Sequence, residues 1–213
     1  MIRSILSQIS FTIMTGLAFL LFATTIIYWN FRPDVNFLLS KQNLVHDTIW
    51  RTVFYIHIAG GMLAIALGPF QFITKLRERY MNVHRSIGKI YVGSILVIGA
   101  PTGLYMAFFA NGGAYASLGF ILMSIFWFYT TWMGLATVLK KQIIQHQQWM
   151  IRSYAVTFSA VTLRLWVPFL SLACNMYHEE VIIITAWMSW LFNLIAAELI
   201  IHFTFNKIKI KTI

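Results

Sequence analysis

The sequence predicts an all-α fold: a polytopic membrane helix bundle of six transmembrane helices, with both termini cytoplasmic. Three observations predict it. The chain is 59% hydrophobic and only 10% charged, with a mean hydropathy of +0.73, where a soluble domain carries roughly 25% charged residues. Six stretches reach the roughly 20 mostly apolar residues that a bilayer core demands. Lys and Arg then alternate between the two sets of connections, the signature that orients such helices.

The first stretch, about 10–29, follows a short positive start at Arg3. Its apolar core is too long for a signal-peptide core and no A-x-A site follows, so a retained helix is expected. The others fall at about 50–73, 88–109, 116–138, 152–173 and 181–204. They leave no room for a soluble domain, so residues 1–213 read as a single integral-membrane domain. Trp29, Trp50, Trp149 and Tyr177 sit at span ends, where interfacial aromatic anchors are expected. Asn111-Gly112-Gly113 reads as a tight external turn. Pro101 and Pro168 fall inside the third and fifth spans and should kink or unwind them.

The formal net charge of +10 is distributed as topology rather than as a nucleic-acid footprint. Lys75, Arg77, Arg79, Arg85 and Lys89 separate spans two and three; Lys140 and Lys141 separate four and five. Arg3 marks one end, and Lys207, Lys209 and Lys211 the other. The connections near 110–115 and 174–180 hold no Lys or Arg. Arg32, Lys41 and Arg51 fall on the predicted outside, partly offset by Asp34 and Asp47. There the amphipathic run Asn36–Trp50 is expected to lie along the interface. Lipid is therefore the expected partner of the basic charge, and no nucleic acid.

Histidine within or near hydrocarbon is costly and tends to bind, coordinate or relay something. His57, Gly61, Ala64, Gly68 and Gln71 share one helical face. His84, Gly88, Tyr91 and Thr102 share another. His146, Ser153, Thr157, Ala160 and Arg164 share a third if the fifth helix starts as early as His146. Small residues beside a histidine have two meanings: close helix packing, or room for a flat cofactor against the backbone.

Depth sorts the polar groups into layers. His84, His146 and Arg152 fall near the cytoplasmic ends of their helices, at the level of Glu198 and His202. Glu198 is the only acid inside a predicted span, and Arg152 is its natural partner. His57 and Arg164 belong to the outer layer. Each group also has a bland reading as a packing or end residue. The ten Met residues are scattered and suggest packing rather than copper transport. Cys174 is the only cysteine, so neither an internal disulfide nor Cys₄ ligation is available. No P-loop, nucleophile elbow or HExxH is present, which removes the usual kinase and hydrolase readings.

Four strings carry a resemblance: His57-Ile-Ala-Gly-Gly61, Leu67-Gly-Pro-Phe-Gln-Phe72, His84-Arg-Ser-Ile-Gly-Lys-Ile-Tyr91 and the run from His146 to Arg164. Ala186-Trp187 and Asn193 to Glu198 extend it, so that about residues 50–200 resemble a bacterial membrane-protein family, domain of unknown function 2306. The resemblance implies a multi-pass protein of the bacterial cytoplasmic membrane and carries no catalytic assignment. More weakly, the His-x-x-Gly elements resemble the di-heme b-type cytochromes of the cytochrome b561 and ferric-reductase kind. That likeness implies b-type heme iron held by His84 and His146, with Arg85 or Arg152 near the propionates. His57 lacks an outer partner within a span, unless His46 or His178 folds in.

Three functions stay open on these residues. One is a heme-binding electron carrier or quinone-linked component with a redox partner, built on His84, His146, His57 and Arg152. Another is a transporter or binding protein with a polar cavity of Arg164, Glu198, His202, Tyr154 and Thr157. The third is a structural partner protein whose polar groups only lock helices together.

Overall fold

The computed structural model describes the backbone of residues 2–210 and the side chains of residues 8–205. The side chains of Arg3, Lys207, Lys209 and Lys211, expected to mark the two ends, lie outside the described residues. Among those described the chain is all-helical, without a strand. Its α-helices are α1 (Ile2–Thr25), α2 (Thr48–Leu67), α3 (Thr74–Arg79), α4 (Met81–Gly93), α5 (Ala100–Ala107), α6 (Gly113–Leu139), α7 (Ile143–Thr157), α8 (Ser159–Ala173) and α9 (His178–Ile210).

Six helical segments are long and apolar enough to cross a membrane: Gln8–Asn30, Thr48–Phe72, Met81–Ala107, Gly113–Leu139, Ile143–Ala173 and His178–Phe205. All six expected spans are there, and large apolar residues along them face outward, among them Phe19, Val97, Leu172 and Phe203. Such faces suit contact with lipid. The third and fifth spans begin earlier than hydropathy suggests, because α4 and α7 carry His84 and Arg85, and Gln145, Gln147 and Gln148, through amphipathic first turns.

The chain forms two compact units, residues 1–102 and 103–213. In the first, Asp47 caps α2 by accepting the N–H groups of Ile49 at 2.8 Å and Trp50 at 2.9 Å, satisfying donors that a helix start leaves open. The run Asn36–Trp50, expected to lie along the interface, is not one continuous helix. It is a 3₁₀ turn, Asn36–Lys41, followed by irregular chain and then α2. Leu38, Val45 and Trp50 bury their side chains within it. Trp50 is thus a core residue stacked on Phe54 rather than an interfacial anchor. Lys41 is buried too, with its ammonium 5.7 Å from the Phe37 ring centre. Burial pushes its pKa down. Arg32 and Asp34 pair at 2.7 Å, and that hydrogen bond lowers the Asp34 pKa.

Pro101 has its expected effect just upstream, where Ser94–Gly99 forms one turn of π-helix between α4 and α5. α2 packs closely on that turn. A Cβ on Gly60 would stand 2.7 Å from Ile98 Cγ2 and 3.0 Å from the Gly99 nitrogen.

In the second unit, Gly112 and Gly113 hold positive φ values of 89° and 67° at the start of α6, which is the turn the sequence suggests. The fifth span breaks at Phe158, not at Pro168, which lies inside α8 without interrupting it. The Asn193 amide explains the break. Its Nδ2 donates to the Ala155 carbonyl at 3.1 Å and to Thr162 Oγ1 at 3.1 Å, and Ser159 Oγ donates to the same carbonyl at 3.3 Å. Side-chain donors inserted into a helical ladder replace its own bonds and bend it.

Candidate functional site

The second unit carries a cleft of about 840 Å³ lined by side chains of α6, α7 and α9. Tyr129, Trp149, Arg152, Glu198 and His202 gather at one end of it beside Leu199 and Phe203, and Phe126 and Leu191 stand toward the other, wholly apolar end. Leu191 precedes Glu198 by seven residues, so at 1.5 Å per residue the apolar wall runs about 10 Å along α9. His202 follows Glu198 by one turn on the same face.

Arg152 donates Nε–H to Glu198 Oε1 at 2.5 Å and Nη2–H to Oε2 at 2.8 Å. Such a two-point fork is the strongest geometry open to this pair. The guanidinium carbon stands 4.6 Å from the Trp149 ring centre, so an aromatic face backs the cation. The Arg152 side chain is only 19% exposed and that of Glu198 54%. The pair is therefore anchored on α7 and open on the α9 side. Two of the five guanidinium N–H groups go to the carboxylate, and the others find no acceptor among the described residues.

His146 lies about one turn before Trp149 and Met150 on α7. Its Nδ1 stands 2.8 Å from the Gly134 carbonyl oxygen. A carbonyl only accepts, so Nδ1 carries the hydrogen and the neutral ring keeps its lone pair on Nε2. Nε2 has no protein partner among the described residues. Gly134 is also where Met150 packs closely on α6: a Cβ there would stand 2.7 Å from Met150 Sδ. Ser153 and Thr157 complete the seam: Ser153 bonds Thr131 Oγ1 at 2.7 Å, and Thr157 accepts from Trp127 Nε1 at 2.8 Å.

The expected cavity set therefore separates. Glu198 and His202 line the cleft together with Arg152. Tyr154 and Thr157 are buried and are not among its lining residues. Arg164 donates to the Ala160 carbonyl at 2.8 Å on α8, one turn before Pro168. Tyr129 and Trp149 are cleft residues that sequence reasoning missed; the spacing of Trp149 three residues before Arg152 was the available signal.

In the first unit His57 Nδ1 stands 3.1 Å from the Gly99 carbonyl and 3.2 Å from Thr102 Oγ1. Thr102 Oγ1 itself donates to the Ile98 carbonyl at 2.6 Å. His57 is thus the donor, docked on the last residue of the π-helical turn. The room expected beside the histidines differs between faces. A Cβ on Gly61 would meet nothing within 4 Å, whereas one on Gly88 would stand 3.0 Å from Gln71 Oε1. His84 belongs to α4 of the first unit and His146 to α7 of the second. Among the described residues no three His, Cys, Asp or Glu side chains gather as a metal site.

No curated protein and no solved structure matches the chain. A family description does: residues 54–201, from the second span to the polar cleft, match the family described as "Predicted membrane protein (DUF2306)", and the chain belongs to it.

Proposed function

We propose that the chain is a membrane protein that binds a small amphipathic molecule taken from the bilayer, with its head at Arg152 and Glu198. The single observation that carries this reading is the composition of the cleft along its length. A charge pair with spare N–H donors ends an apolar wall about two helical turns long. Glu198 already neutralises Arg152, so an anionic head would have to displace a two-point ion pair. A neutral head with carbonyl or hydroxyl oxygens accepts the remaining N–H groups without breaking it. A membrane quinone has that chemistry, with ring carbonyls at one end and an apolar tail at the other. His202 and Glu198 then supply groups that exchange protons beside the head. The membrane we propose is the bacterial cytoplasmic one, in keeping with the alternation of Lys and Arg between connections.

Labelling with a photoreactive quinone tests this in the full chain held in lipid nanodiscs. Saturable labelling is expected on peptides of α7 and α9 around residues 149–152 and 191–203, competed by unlabelled quinone. Arg152→Met should reduce it on the order of tenfold, the loss of one charge-assisted hydrogen bond. Labelling that is not saturable, or that ignores Arg152, overturns the reading.

A second reading rests on His146. An Nδ1–H held by a backbone carbonyl, with Nε2 left to face outward, is the usual preparation of an imidazole ligand. We propose b-type heme as the group it would hold, so that the protein would pass electrons to a redox partner. Heme would supply one-electron chemistry, and the contribution of this chain is to fix the tautomer and orientation of His146. A Soret band in the purified protein that disappears in His146→Ala supports it; a colourless protein from heme-replete cells overturns it.

A further inference from the structure

We propose that the connection between the second and third spans is a binding surface for anionic phospholipid. This rests on the first unit alone and is independent of the cleft. Residues 74–89 hold Lys75, Arg77, Arg79, Arg85 and Lys89 against a single carboxylate, Glu78. They build α3 and the first turns of α4, between spans that end at Phe72 and begin at Met81. Four of the five cations are exposed and Arg77 is half-buried. The ion pairs found among the described residues, Arg32 with Asp34 and Arg152 with Glu198, include none of them. Glu78 does not neutralise them, so the segment presents uncompensated positive charge.

The apolar residues of the same segment decide what that charge faces. Tyr80, Met81 and Val83 are exposed beside the cations, at 55%, 41% and 47%. Such side chains are costly in bulk water but fit the headgroup and upper acyl region. Arg85 and Lys89 lie one turn apart on α4, and Lys75 and Arg79 lie likewise on α3. Two basic faces flanked by apolar side chains, at the junction of two membrane helices, match a lipid with a phosphate-borne negative charge and acyl chains. A zwitterionic lipid offers no net charge to this surface, and a soluble anion offers nothing to Tyr80, Met81 and Val83.

Native mass spectrometry of the detergent-purified full chain tests the proposal, using phosphatidylglycerol and phosphatidylcholine of identical acyl chains. Phosphatidylglycerol adducts are expected to exceed phosphatidylcholine adducts on the order of tenfold at equal concentration. Lys75→Gln, Arg77→Gln and Arg79→Gln together should erase that preference, whereas Lys140→Gln with Lys141→Gln should leave it. Raising salt from about 0.1 M to about 0.5 M should weaken the wild-type preference, a measurement that needs no variant to fold. Equal binding of both lipids, or a preference that survives the triple substitution, overturns the proposal. Displacement of the lipid by millimolar inorganic phosphate also overturns it, by making the site one for a free anion.

Discussion

Arg152 of α7 and Glu198 of α9 lie 46 residues apart in sequence and meet through two parallel hydrogen bonds at 2.5 and 2.8 Å. Trp149 covers the guanidinium face, and the Glu198 side chain remains 54% exposed. The contact joins two helices and also forms the polar end of the cleft, so structural and binding roles fall on the same atoms. They separate experimentally because each role responds differently to losing one partner or both.

Removing one member of this pair should cost more than removing both. Arg152→Met leaves a carboxylate in the membrane without its cation, and Glu198→Met leaves the cation. Either should destabilise by about 2–4 kcal/mol, while the double variant should lose about 1 kcal/mol or less. The coupling in a double-mutant cycle, measured by reversible unfolding in detergent, should therefore be about 3 kcal/mol or more. Strictly additive losses would show that the fork contributes no stability.

The end of α6 offers a gain. The Lys141 N–H donates to the Val138 carbonyl at 3.0 Å and the Gln142 N–H to the Thr137 carbonyl at 2.9 Å, the two bonds of a Schellman closure. That closure needs a left-handed residue, and here it is Lys141 at φ 60°. Lys141→Gly should stabilise by about 0.5–1 kcal/mol, the left-handed penalty of an L residue less the chain entropy of glycine. A rise in the thermal unfolding midpoint checks it, and a fall refutes it.

The six spans were legible because lipid leaves helices little freedom: every backbone group must be satisfied within its own segment. The partner of Glu198 was legible for the same reason, since a lone acid in a span needs a cation. What was not legible depended on tertiary contact. The polar first turns of α4 and α7 read as connections until packing extends the helix through them. The break at Phe158 follows from Asn193, which lies 38 residues beyond the Ala155 carbonyl it binds, while Pro168 is the louder local signal. Tyr129 joins the cleft through the close α6–α7 approach at Gly134, and one helix alone cannot reveal that face. The burial of Lys41, in a run expected along the interface, was not legible either: it is buried in the same segment as Leu38 and Val45.

Lys41 predicts a pH dependence. Burial lowers its folded pKa, so the native state binds fewer protons than the unfolded chain between that value and the ordinary lysine value. Stability should therefore rise with pH across that window. Lys41→Met abolishes the contribution of this residue. Its stability relative to wild type should be most favourable below the lowered pKa and decline as pH approaches the ordinary lysine value. Chemical unfolding of both proteins at several pH values from 7 upward, roughly to the unperturbed lysine range, measures this. A difference that does not change with pH contradicts it.

Gly60 and Gly61 are neighbours on α2 with opposite surroundings. A methyl on Gly60 would stand 2.7 Å from Ile98 Cγ2, 3.0 Å from Ile98 Cβ and 3.0 Å from the Gly99 nitrogen. The isoleucine is β-branched and the nitrogen is backbone, so neither yields easily. Gly60→Ala should push α2 off the π-helical turn at a cost of about 1–3 kcal/mol. It should also lengthen the His57–Gly99 hydrogen bond, which now measures 3.1 Å. Gly61→Ala meets nothing within 4 Å and improves helix propensity, so it should be neutral or stabilise by up to about 1 kcal/mol. Unfolding of the two variants side by side decides the assignment, and the His57 imidazole NMR signals report whether the hydrogen bond moved. Equal effects would mean that the close approach of α2 to the π-helical turn is not set by Gly60.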